Sequence, residues 1–95
     1  MAPVPDDILV RRVLAGDKEA FQPLMERHAG LVYAAIYGVL SLRAKEGDVA
    51  LELMGDTFLT AYESLGTLHR RDRVGPWLYR IAQRKAVDLA RKSHW

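Results

Sequence analysis

Apolar side chains in this chain recur every third or fourth residue, and nowhere do they alternate with polar ones over the length of a strand. That spacing returns to one face of an α-helix and to neither face of a β-strand, so it restricts the fold to helices packed by their stripes. Proline and glycine supply the punctuation. Asp6 or Asp7, just after Pro5, is placed to cap a first helix that stops at Gly16. Asp17 is placed to cap a second helix running to about Leu42, with Leu24, His28, Leu31, Ala35, Val39 and Leu42 as its stripe. Pro23 deletes a backbone hydrogen bond to Glu19 near the start of that helix, which predicts a kink. Beyond the polar connection "SLRAKEGD" a third helix is expected from about Val49 to Leu65, with Leu51, Met54, Phe58, Ala61 and Leu65 as its core face. Residues 66–75 read as a loop, and Pro76 suits the first turn of a last helix ending near Lys92. The predicted fold is all-α, a compact bundle of four helices forming a single domain over residues 1–95.

Several function classes drop out on composition. Without cysteine there is no disulfide, no thiolate zinc site and no thiol nucleophile. His28, His69 and His94 lack metal-ligand spacing, and His28 lies on an apolar stripe, as a hydrogen-bonded histidine at the core edge does. Ser41, Ser64 and Ser93 have no glycine elbow around them. No catalytic residue, metal or cofactor is therefore expected, and the chain does not read as an enzyme. The stretch "MAPVPDDILVRR" lacks a basic flank followed by an apolar run, so no signal peptide is visible in it, and no apolar run approaches the roughly 20 residues of a membrane span. The apolar face of the last helix is mostly alanine and leucine, too thin for strong insertion into a membrane surface. The expected location is cytoplasmic.

Charge is distributed unevenly along these 95 residues. Up to residue 68, six basic side chains stand against ten acidic ones, for −4; from residue 69 onward, eight stand against two, for +6. Such polarity suits two different partners, one of them polyanionic. On the third helix Asp48, Glu52, Asp56 and Glu63 fall within an arc of roughly 80°, with Leu59 inside it. That pattern describes either a solvated face or an acidic ridge with one apolar anchor that docks on a basic partner helix. On the last helix Arg80, Arg84 and Arg91 share a stripe about 40° wide, with Trp77 at its edge and Lys85 to one side. Directly upstream the loop carries His69, Arg70, Arg71 and Arg73. Core packing alone accounts for the tryptophan, and solvation alone for the arginines. Together they match a surface that holds a nucleic-acid backbone and offers a stacking platform to an unpaired base.

Three stretches in this order, "GDKEAFQPLMERHAGLVYAAIY", "DTFLTAYESL" and "PWLYRIAQRKAVDLARK", resemble region 2 of bacterial sigma-70 transcription initiation factors of the extracytoplasmic-function (ECF) group. The resemblance covers about Asp6 to Lys92. It implies that the helix holding "DTFLTAY" docks on the β′ clamp helices of RNA polymerase core through Glu52, Asp56 and Asp48. It implies further that the helix beginning "PWLYRIA" and the loop before it recognise and open the promoter −10 element. Trp77 would stand at the upstream edge of the melted segment, the loop from Leu68 to Val74 would receive a flipped base, and Arg80 and Arg84 would meet the strand. An anti-sigma factor is a further partner implied by the family alone.

This chain departs from the family at several positions. Gly55 replaces a usual glutamine, Val74 a common phenylalanine, Gly75-Pro76 a more polar pair and Arg84 a frequent asparagine, while "LRAKEG" adds about one helical turn. A complete factor carries a second helical domain, region 4, so the chain reads as an N-terminal fragment, with a stand-alone domain as the other option. The rival functional reading is a sigma-like decoy that binds an anti-sigma factor without promoter recognition.

Overall fold

The first helix, α1 (Asp6–Leu14), starts after Pro5, whose extended backbone leads into it without a side-chain cap. Asp6 or Asp7 was expected to cap the helix, and both instead lie inside its first turn. The Asp6 carboxylate turns away to bond Arg27, and it meets His28 Nε2 at 2.7 Å. The helix closes as its sequence suggests. Gly16 adopts φ +109°, a conformation costly to any residue with a Cβ, so the N–H groups of Gly16 and Asp17 can return to the carbonyls of Val13 and Arg12. The structure, a computed structural model, describes residues 3–41 and 47–92.

Asp17 does not cap the second helix either. It precedes a 3₁₀ turn, Lys18–Ala20, and α2 (Phe21–Leu40) follows directly. Pro23 explains the arrangement. Its missing N–H prevents the α-type bond back to Glu19, so α geometry begins at Phe21 and Pro23 lies in a first turn, where no such bond is required. The change from 3₁₀ to α geometry thus precedes the proline. At the other end Ser41 takes the left-handed conformation, φ 48°, and stops the helix before the expected Leu42. Leu42 and most of the extra-turn segment lie outside the described residues.

The third helix, α3 (Gly47–Ser64), runs into a 3₁₀ turn at Leu65–Thr67, and α4 (Val74–Lys92) completes the bundle. Among the described residues there is no strand. Helix α4 packs most extensively on α2, and α3 packs on both. The core centres on Val10 from α1, Leu24, Val32 and Ile36 from α2, Leu65, and Val74 and Leu78 from α4. Around these, Ala50, Ala61, Ala82 and Ala86 are wholly buried, which lets the helix axes approach closely. Thr57 is the one polar residue buried among those described, and its hydroxyl donates to the Leu53 carbonyl at 2.7 Å, as burial demands.

Two expected stripes are rotated. On α2 the buried positions are Phe21, Leu24, Val32, Ala35 and Ile36, whereas Leu31 is 39% exposed. On α3 the buried face is Ala50, Leu53, Thr57 and Ala61, turned by about 70° from the one expected, and Leu51 is 63% exposed. The physical reason is size. Small side chains allow α3 to lie close to α2 and α4, while Met54 and Phe58 fill the margins, half-buried.

Candidate nucleic-acid interface and docking face

The loop joining α3 to α4 is held at both ends. Leu68 is buried and anchors its start. At its end Val74 is also buried, and the Arg73 carbonyl accepts the Trp77 N–H at 3.3 Å, opening α4. Between these anchors the Arg73 N–H closes a turn on the Arg70 carbonyl at 2.8 Å, and Arg70 grips Asp72 through two bonds of 3.1 and 3.2 Å. That pair holds the Asp72 carboxyl below the usual carboxylate range, chiefly through the hydrogen bond from Arg70, and raises the guanidinium in turn. A depressed carboxyl stabilises the loop fully above its unfolded value near 4 and loses that contribution as pH falls through the folded value, so the pair is intact at neutral pH. Both side chains are solvent-exposed, so it orders the loop more than it stabilises the fold.

Gly75 shows why a small residue stands in the first turn of α4. It is buried, and a Cβ placed there would lie 3.4 Å from Leu31 and 3.5 Å from the His28 ring. Anything larger than alanine would push against α2 at the histidine that Asp6 holds. The Asp6, Arg27 and His28 cluster thus braces α1 and α2 behind the start of α4. Sequence spacing left Asp6 and His28 unconnected, because the two are 22 positions apart and only the tertiary fold joins them.

At the junction of the loop and α4 lies a cleft of about 410 Å³ lined by Thr67, Leu68, His69, Arg70, Arg73, Pro76, Trp77 and Arg80. Trp77 is half-buried, packed against the core on one side and lining the cleft with another. Five of the sequence-selected residues, His69, Arg70, Arg73, Trp77 and Arg80, therefore meet at one concavity with three guanidinium groups, an imidazole and an indole ring. Arg84 and Arg91 continue along the same exposed stripe of α4. Two more selected residues lie off both the cleft and that stripe. Arg71 lies on the far side of the loop, and Lys85 is half-buried, turned about 80° from Trp77. Val74, expected at the base-receiving end of the loop, belongs to the core.

The acidic face of α3 is open along its length. Asp48, Glu52, Asp56 and Glu63 are all exposed, and Leu59 among them is 58% exposed. Leu51 and Tyr62 extend this into an apolar line beside the carboxylates, an element that the expected core face concealed. Gly55 sits in that line, and a Cβ there would meet nothing within 4 Å. The fold does not require a glycine, so Gly55→Ala is expected to stabilise the domain by about 0.8–1 kcal/mol, a rise of about 4 °C in the midpoint of thermal unfolding. An unchanged or lowered midpoint would show that the bundle uses the glycine.

The sigma-70 region 2 family matches residues 24–95, which hold α3, the loop, α4 and most of α2. The chain belongs to that family. Its region 2 sequence is 35% identical over 89 residues to RNA polymerase sigma factor NccH of Alcaligenes xylosoxydans, covering 94% of this chain and 46% of the relative. It is 28% identical to the ECF sigma factor SigW of Bacillus subtilis, over 88% of this chain and 43% of the relative. To the ECF sigma-E factor of Haemophilus influenzae it is 33% identical, over 87% and 41%. The chain thus spans less than half the length of these curated relatives. No solved structure matches it. Among the described residues, no helix is long and apolar enough to cross a membrane.

Proposed function

We propose that this chain is the region 2 module of an ECF-type transcription initiation factor, acting in the cytoplasm. It docks on RNA polymerase core through α3 and binds the opened −10 segment of promoter DNA at the cleft. Asp48, Glu52, Asp56 and Glu63 steer the approach of a basic helix of the polymerase, and Leu59 and Leu51 supply the apolar contact. At the cleft, Arg80, Arg84 and Arg91 hold backbone phosphates, Lys85 adds long-range attraction from the side, and Trp77 offers its ring to a base that has left the stack. His69, Arg70 and Arg73 line the side of the loop that a displaced base enters, and Arg71 adds its charge from the far side. No bond is made or broken, so the work is differential binding: single-stranded DNA finds a stacking surface that duplex DNA cannot reach. An anti-sigma factor covering either face is a family expectation with no residue here that specifies it.

The observation that carries the reading is the meeting of Trp77 and three arginines, drawn from a loop and a helix, around one cleft. It is tested by titrating the chain with a fluorescent single-stranded oligonucleotide and its duplex at several salt concentrations. Preference for the single strand, with a logarithmic salt slope of about −0.7 per phosphate, is the expected result. Equal and salt-insensitive binding of both would leave the decoy reading in its place. In the same assay Asp72→Asn releases Arg70 and removes one negative charge. It is expected to tighten single-strand binding about three-fold at low salt and to steepen the slope, whereas an unaltered slope would mean that Arg70 makes no phosphate contact.

A further inference from the structure

The loop has two sides, and only one of them faces the cleft. On the other lies a second groove of about 380 Å³, lined by Asp7 and Arg11 of α1 together with His69, Arg70, Arg71 and Asp72. His69 and Arg70 line both concavities, so the two are neighbours across the loop. Arg11 stands 59 positions before Arg70, in the acidic portion of the chain, and only the packing of α1 beside the α3–α4 connection brings it there. From the structure we infer that Arg11 extends the strand-binding surface beyond the loop. A single strand leaving the cleft crosses His69 and Arg70, and its next backbone phosphate is held between Arg11 and Arg71.

The local charges permit this. The groove has three guanidinium groups and two carboxylates. Asp72 is already engaged by Arg70, which leaves Arg11 and Arg71 facing outward with Asp7 as the remaining acid. Arg11 and Arg71 are both exposed, and a guanidinium presents the paired donors that suit a phosphate oxygen pair. The neighbouring Arg12 provides an internal comparison. It carries the same charge on the same helix, is also exposed and shares a shallow depression with Arg11 along α1, but it is absent from the groove beside the loop and instead lines a concavity with Asp17, Glu19 and Arg27.

The inference rests on the cleft being the strand-binding site, and the experiment separates the two. The full chain and its Arg11→Gln and Arg12→Gln variants are titrated with single strands of two lengths, one just filling the cleft and one longer by about three nucleotides at each end. Arg11→Gln is expected to weaken the longer strand about five-fold at low salt and to reduce its salt slope by about 0.7, while leaving the shorter strand nearly unchanged. Arg12→Gln should alter both strands slightly and equally, through net charge alone. If the two variants behave alike on the longer strand, the extension over α1 is wrong and the cleft assignment stands. If the wild-type chain, folded by circular dichroism, binds neither strand, the cleft assignment itself falls and the extension with it.

Discussion

Reversing the charge of Asp56 is expected to weaken binding of this chain to RNA polymerase core roughly a hundred-fold at moderate salt, with no loss of helical structure. Asp56 is exposed on α3, about 100° round the helix from the buried Thr57, so an arginine there enters solvent and remains compatible with the helix. Against a basic partner helix the substitution removes an attraction and introduces a repulsion in the middle of the acidic edge. Part of the loss should appear in the association rate, and it should shrink as salt is raised and exposed charges are screened. Fluorescence titration of the wild-type and Asp56→Arg chains with core enzyme measures it, and circular dichroism reports that both are folded. Equal binding by the two would remove the acidic edge from the docking face. Absence of binding by a folded wild-type chain would favour the decoy reading, in which an anti-sigma factor is the partner.

Removing the ring of Trp77 should have the second large effect, confined to single strands. Stacking of one base on an aromatic side chain contributes about 1–3 kcal/mol, so Trp77→Ala is expected to weaken single-strand binding by roughly ten-fold or more. Duplex binding, which depends on phosphates, should change little, and the salt slope should persist. Because Trp77 also packs against the core, the alanine variant loses some stability, and Trp77→Phe serves as the check. Phenylalanine keeps a stacking face and should recover most of the affinity. Weakening of single strand and duplex in equal measure would show that the tryptophan only supports the fold. Arg80→Gln provides the contrasting signature, a shallower salt slope for both forms, since it removes a phosphate contact and leaves the ring in place.

The polar faces were the most legible part of the site. Charged side chains go to solvent almost regardless of how helices pack, so helical periodicity alone places Asp48, Glu52, Asp56 and Glu63 on one exposed edge and Arg80, Arg84 and Arg91 on another. The apolar faces were harder, because α3 carries leucine, methionine and phenylalanine on more than one side. Hydrophobicity favoured Leu51, Met54 and Phe58 as core, whereas Ala50, Leu53 and Thr57 are the residues buried. Leu51 thereby passed from the expected core to the candidate docking face, beside Leu59 and Tyr62.

The sequence by itself determined the order of the four helices among the described residues, the turns at Gly16 and before Pro76, and the two charged edges. Each of these depends on local backbone chemistry or on spacing within one helix, which no distant residue can easily override. Tertiary structure alone decided the rest. It chose the rotation of α2 and α3, because small side chains win wherever helix axes approach most closely. It tied Asp6 to Arg27 and His28 instead of leaving it as a cap, because a guanidinium and an imidazole within reach offer a carboxylate more than one backbone N–H does. It also assembled the cleft and brought Arg11 to the far side of the loop, since concavities form between elements and have no spacing along the chain.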